Sequence, residues 1–401
     1  MIGHPAGDSL GVLVGALLSL RPITAAMNRP VEIAPDVIEH YAPLRVETGE
    51  GEVAAFDLVA EVLGLPGFVA SGEEAATGVF DRVATERIRS ACGSEPLPAG
   101  PPLGREEFDR LVGEALDLGD VRRVHGRRMV TAPDGVLIPA YSSGDPAAPP
   151  VIIVPATGMP VELSVPWITA LAATFHVMTW ENRGLFPGQV AAGDSLGQGL
   201  DAQAGDLIAV LDAFGVAEAH VFGLCSGAGI ALAAAAEHPE RIGSISLWHG
   251  DFELGSDSLK TIHQRDLEAL MTEVALGTVS AESVHATIGQ VLLESTPMDL
   301  AHLVLYPYAS PDLLHRYCQA ISVGMRTDVQ GYLPRIKQPA LVVTSRNDTT
   351  AHPAGSLAVA RELSGAFLHV APEGDHLTLF RAAPELVALA RDFVSRPLDR
   401  P

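Results

Sequence analysis

The spacing of apolar positions changes along the chain. Between Val37 and Cys92, Phe56, Val59 and Leu63, then Phe80, Val83 and Ile88, recur every three to five positions. That interval puts side chains on one helix face and predicts mostly amphipathic helix. Upstream, the run Leu10–Leu20 (LGVLVGALLSL) reads as a buried helix. It is shorter than the ~20 residues a bilayer demands. It also lacks a basic residue before it and a small-residue cleavage site after it, so it makes a poor signal peptide. Met27, just beyond, is an alternative start. Residues 1–120 are expected to form a helical N-terminal domain.

From Arg128 onwards the period shortens. MVTAPDGVLIPAY predicts two short strands around an Asp-Gly turn. VIIVPAT (151–157) is a continuous apolar run, as in strands buried on both faces of a parallel sheet. Strand and helix patterns then alternate: HVMTW (176–180), a helix over 203–214, AHVFGLC (219–225), a helix over 229–237 and IGSISLWH (242–249). After a largely helical stretch over 255–335 come ALVVTS (340–345), a helix over 354–364, AFLHVAP (366–372) and a helix over 384–394. Repeated strand–helix–strand units mean an α/β fold around a mostly parallel sheet. The core is expected over 121–254 and 336–401, with 255–335 inserted as a helical cap.

Composition narrows the function. In 401 residues, 47% are hydrophobic and 19% charged, which excludes a disordered chain. Lys and Arg number 26 against 49 Asp and Glu, a net charge of −23, and Lys260 and Lys337 are the only lysines. Such a surface repels phosphate backbones and anionic head groups, so nucleic acid and membrane partners are not expected. Three cysteines without a CxxC spacing form no disulfide framework or zinc site and fit a reducing, cytoplasmic compartment. Neither a metal-ligand cluster nor a phosphate-binding glycine loop is present, so no cofactor is expected.

The chemistry centres on Gly223-Leu224-Cys225-Ser226-Gly227, where a strand turns sharply into an Ala-rich helix. A nucleophile on such a strained turn needs small residues two positions to either side. Gly223 and Gly227 satisfy this for Cys225, whereas Ser226 would face Leu224 and Ala228. The helix N-terminus also favours a thiolate at Cys225. A nucleophile needs a base and the base an orienting acid. Asp348 and His376 follow in that order, each just beyond a strand end, where open α/β sheets gather their functional groups. Asp251, shortly after IGSISLWH, is the reserve acid.

With these pieces in place, the chain resembles the α/β-hydrolase superfamily over about residues 121–398. The likeness rests on the strand pair before VIIVPATG, the elbow GLCSGAG, SRND and EGDH. It implies an α/β-hydrolase fold and an oxyanion hole built from the N–H of Ser226 and that of Thr157 or Gly158. It also implies that the insertion acts as a substrate-selecting cap. Two departures stand out: PATGMP (155–160) replaces the usual His-Gly pair, and Glu181-Asn182-Arg183-Gly184 replaces Asp-x-Arg-Gly. An elbow Cys is found in dienelactone-hydrolase-like members and suits activated carbonyls such as thioesters and enol esters. PATGMP and TWENRGLF also resemble α/β-hydrolase-fold proteins of polyketide pathways, one group of which eliminates acetate from an acetylated tetronate.

Three functions follow as expectations. The first is acyl transfer or hydrolysis on a small, hydrophobic, polyketide-derived acyl compound by Cys225, His376 and Asp348. The second is elimination of acetate with His376 as base and Cys225 secondary. The third is a non-catalytic binding protein on the same fold. Cys92 and Cys318 read as structural, and Gly7-Asp8-Ser9-Leu10 as a chance match to a phosphopantetheine site. Trp248 and His249 either line the pocket or pack beneath the cap. The cluster Arg122, Arg123, Arg127 and Arg128 reads as an ion-pair seam where two domains join.

Overall fold

The structure is a computed structural model and describes residues 5–72, 78–187, 189 and 197–396. The chain divides into two compact units: Met1–Val124 with Glu282–Leu314, and His125–Ala281 with His315–Pro401.

The first unit is built on the helix Pro5–Met27. Leu10, Leu13, Val14, Leu17, Leu20 and Ile23 are fully buried along it. The helix outruns the apolar stretch read from sequence, and Gly7–Met27 is long and apolar enough to cross a membrane. It packs against the helices Val79–Cys92 and Arg105–Gly119. Four short strands correct the expectation of helix from Val37 onward: β1 (Val31–Ile33), β2 (Arg45–Thr48), β3 (Gly51–Ala54) and β4 (Phe68–Ala70). β1 pairs with β4 in parallel and β2 with β3 antiparallel. Helix is interrupted between Pro35–Tyr41 and Ala55–Val62 by the β2–β3 hairpin, whose second strand opens with Gly51 at φ +138°.

The insertion also divides differently from the expected 255–335. Glu282–Leu314 belongs with the first unit: the helix Met298–Val304 packs on Val79–Cys92, and His285 stacks on Phe80. The helix Ile262–Ala275 lies in the second unit.

The second unit is the α/β body. Its strands are β5 (Gly126–Thr131), β6 (Leu137–Ser143), β7 (Pro150–Val154), β8 (His176–Trp180), β9 (Ala219–Leu224), β10 (Ile242–Trp248), β11 (Ala340–Ser345) and β12 (Phe367–Ala371). They form one sheet in the order β12-β11-β10-β9-β7-β8-β6-β5. β5–β6 and β6–β8 are antiparallel and the remaining pairs parallel. β7 to β11 are almost wholly buried because helices cover both faces, which explains their unbroken apolar runs. On one face the helices Leu200–Ala213 and Gly227–Glu237 pack together. Alanines along the second of these let it lie close to the strands.

The basic cluster forms no seam. Arg123 pairs with Asp117 at 2.9 Å within the first unit, while Arg128 donates to Ala213 O and lies over the Phe214 ring within the second. The buried ion pair is elsewhere. Arg183, in the segment that departs from Asp-x-Arg-Gly, donates through Nε to Asp206 Oδ2 at 2.8 Å and also binds Asp134. Its guanidinium and the Asp206 carboxylate are almost completely buried. Replacing Arg183 with Leu strands that carboxylate. The expected loss is about 3–5 kcal/mol, read as a lower urea midpoint at unchanged slope.

Candidate active site

β9 ends at Leu224, and Cys225 follows at φ +51°. A non-glycine residue there carries strain of roughly 1–3 kcal/mol, held by its surroundings. The Cys225 N–H donates to Trp248 O at 2.9 Å, and its carbonyl accepts from Ala228 N–H at 3.0 Å. A Cβ on Gly223 would stand 2.8 Å from Ala228 Cα, and one on Gly227 2.5 Å from Val154 O. These are the collisions the glycine frame avoids.

Asp348 lies three residues past β11, and His376 sits in the turn after β12. The structure brings both to Cys225. His376 Nδ1 bonds Asp348 Oδ2 at 2.9 Å, and the ring lies within electrostatic reach of the Cys225 sulfur. Asp348 Oδ1 accepts the N–H groups of Thr350 and Ala351 at 2.9 and 2.8 Å. A second imidazole, His249 Nδ1, donates to the same Oδ2 at 2.9 Å. His249 Nε2 in turn bonds the Ser345 hydroxyl at 3.2 Å, so both ring nitrogens are engaged and the ring is held in place.

The charges follow from these bonds. Burial opposes a charge on His376, but the facing Cys225 sulfur and the Asp348 bond outweigh it and raise its pKa well above 6.5. Burial would raise Asp348, yet bonds from His249 and His376 hold its carboxyl well below the usual range. Burial, aided by the neighbouring His376, lowers His249. The two imidazoles on this single carboxylate are thus shifted in opposite directions, His376 upward and His249 downward. The donor atoms of His249, Asp348 and His376 lie within 4.8 Å of one another, as in a metal set. Both Nδ1 atoms, however, present protons to the carboxylate, so the arrangement fits a hydrogen-bond relay.

The remaining residues sort by their bonds. Ser226 Oγ accepts from Thr157 N–H at 2.8 Å and donates to Thr157 Oγ1 at 3.1 Å, so its hydroxyl is turned to Thr157. Gly158 N–H donates to the buried Asn182 Oδ1 at 3.0 Å, which takes it out of the expected oxyanion hole. Asp251 does not orient His376. It lines a pocket together with Thr157 and Ser226. His249 is the partner that sequence reasoning did not assign, although its place at a strand end marked it. Trp248 is fully buried between Trp167 and Phe222.

Residues 149–383 match the family model for the alpha/beta hydrolase fold, and the chain belongs to that family. It is 27% identical over 241 residues to a putative carbamate hydrolase, RutD, of Caulobacter sp. strain K31, covering 57% of this chain and 84% of the relative. It is 25% identical over 228 residues to the human serine hydrolase BPHL, covering 55% and 69%. Among solved structures, a hydrolase from Pseudomonas aeruginosa PA01 superposes with a TM-score of 0.55 at 19% identity, over 68% of this chain and all but 1% of that one (99%). The enol-lactonase from Burkholderia xenovorans LB400 superposes at 0.51 and 20% identity, over 67% and 100%.

Two outcomes test the relay. In Cys225→Ala the facing sulfur that raises His376 is gone while the burial remains, so the NMR titration of His376 moves to lower pH than in wild type. His249→Leu removes one donor from Asp348 and loosens His376. It should lower kcat roughly 10- to 100-fold with KM little changed.

Proposed function

We propose that the chain is a cysteine-dependent acyl hydrolase or acyltransferase acting on activated esters or thioesters. The observation that carries this is His376, bonded to the Asp348 carboxylate and brought within electrostatic reach of Cys225 at the strained elbow. In this reading His376 takes the proton of the Cys225 thiol, and the thiolate so formed attacks the acyl carbon. The oxyanion is met by Ser226 N–H at the start of its helix, where the first N–H groups lack intrahelical partners. Thr157 supplies the second donor through its hydroxyl, which accepts from Ser226 and keeps its own hydrogen free. The His376 imidazolium gives its proton to the departing thiol or alcohol, leaving an acyl-Cys225. Neutral His376 then takes a proton from water, or from an acceptor alcohol, whose oxygen attacks the acyl carbon and returns the thiolate. Asp348 keeps the ring oriented throughout, and His249 keeps Asp348 in place.

The likeness of PATGMP and TWENRGLF to polyketide-pathway proteins points the substrate toward polyketide-derived acyl compounds. The Caulobacter relative adds a carbamate as a member of the same acyl class to try. Elimination of acetate with His376 as base needs no thiol and leaves the placing of Cys225 on the strained elbow, at φ +51°, without a part in the chemistry.

Intact-protein mass spectrometry separates the readings, using a panel of acyl thioesters, acetylated lactones and a carbamate on wild type, Cys225→Ala and His376→Ala. Acyl transfer expects a mass gain on wild type that is absent from Cys225→Ala. Release of acetate with an unsaturated product and no adduct, surviving in Cys225→Ala and lost in His376→Ala, would establish elimination instead. Unchanged output in both variants would leave a binding protein.

A further inference from the structure

Asp251 is the one titratable residue among those lining the pocket beside the elbow, where it stands with Thr157, Ser226, Leu200, Ile321 and Val329. Its placement is built. Gln264 Oε1 accepts the N–H groups of Thr261 and His352 at 2.8 and 2.9 Å, which forces its Nε2 toward Asp251 Oδ1 at 2.6 Å. Thr261 and Gln264 close a capping box at the start of the helix Ile262–Ala275, so this amide cannot turn over without opening the helix end. Among the described residues no cation pairs with Asp251. Lys260 is within electrostatic reach but is bonded to Glu253 and Glu268, and the other ionisable groups nearby are His263, His376 and Asp348. The half-buried Asp251, with Gln203, Thr157 and Ser226, gives an otherwise apolar wall its polar groups, so a polar group of a ligand entering there finds partners.

We propose that Asp251 reads the substrate: its Oδ2, the oxygen Gln264 does not bond, hydrogen-bonds a hydroxyl on the acyl chain, so that the enzyme takes hydroxyacyl esters or thioesters in preference to unsubstituted ones. This rests on the acyl-transfer reading of Cys225. A hydroxyl suits the site better than an ammonium because it both donates and accepts. Burial opposes a full charge on the Asp251 carboxyl, and a hydroxyl can pair with this carboxyl and with the Thr157 and Ser226 hydroxyls that line the same pocket. Gln264 is the positioning residue, acting through Asp251.

The test compares kcat/KM for matched cysteamine thioesters carrying β-hydroxyacyl, β-aminoacyl or unsubstituted acyl chains of equal length. The proteins are full-chain wild type, Asp251→Leu and Gln264→Leu, each checked for folding by thermal melting. Binding of the corresponding unreactive ketones is measured by calorimetry. Wild type should favour the hydroxyl chain by roughly 100-fold, as a site built around a hydrogen bond does. That ratio should collapse toward one in Asp251→Leu and fall part-way in Gln264→Leu. A ratio unchanged by either substitution, or a wild type preferring the amine or the plain chain, overturns the proposal. If no thioester is turned over, the acyl-transfer reading fails by itself, and the ketones, which need no reaction, still decide the role of Asp251. If Asp251→Leu does not fold, Gln264→Leu carries the comparison.

Discussion

The site depends on one close approach, that of the helix Gly227–Glu237 to β7 and β9. Two glycines without Cβ atoms let the chain reverse within van der Waals distance of Val154 O and Ala228 Cα. The reversal drives Cys225 into a left-handed backbone conformation and lifts its sulfur clear of the sheet. A backbone bond from Cys225 to Trp248 O then ties the turn to β10. The strain is sustained because the sheet around it is fully packed, and a loop less firmly held would relax it.

Asp348 is the second fixed point. Four donors converge on one carboxylate: two backbone N–H groups and two imidazoles. Its charge is thereby locked in place at a depth where a lone anion would be costly. One imidazole takes part in the proposed chemistry. The other, held in place by Ser345, restrains the carboxylate.

Much of this was legible in the sequence. HVMTW, ALVVTS and the closing helix fall where the alternation of patterns places them, because strands buried on both faces have little choice of composition. The elbow, Asp348 and His376 were also legible, since each belongs to a short motif at a strand end. His249 was not assigned because its partner comes from the neighbouring strand, 99 positions away, and only the register of β10 on β11 joins them. Asp251 was read as a reserve orienting acid. Gln264 and the backbone of His352 direct it elsewhere, and their bond is invisible in linear order. The strands before Ala55 were missed because three or four residues are too few to set a period against the amphipathic helices around them.

The capping box at Thr261 and Gln264 has a mechanical consequence. The same amide closes the helix end, anchors the segment at His352 and holds the pocket carboxyl. The first turn of that helix is therefore wall and not door. Any breathing that admits a bulky acyl chain has to leave this corner standing, since displacing it would break three hydrogen bonds at once and disarm the pocket in the act of opening it.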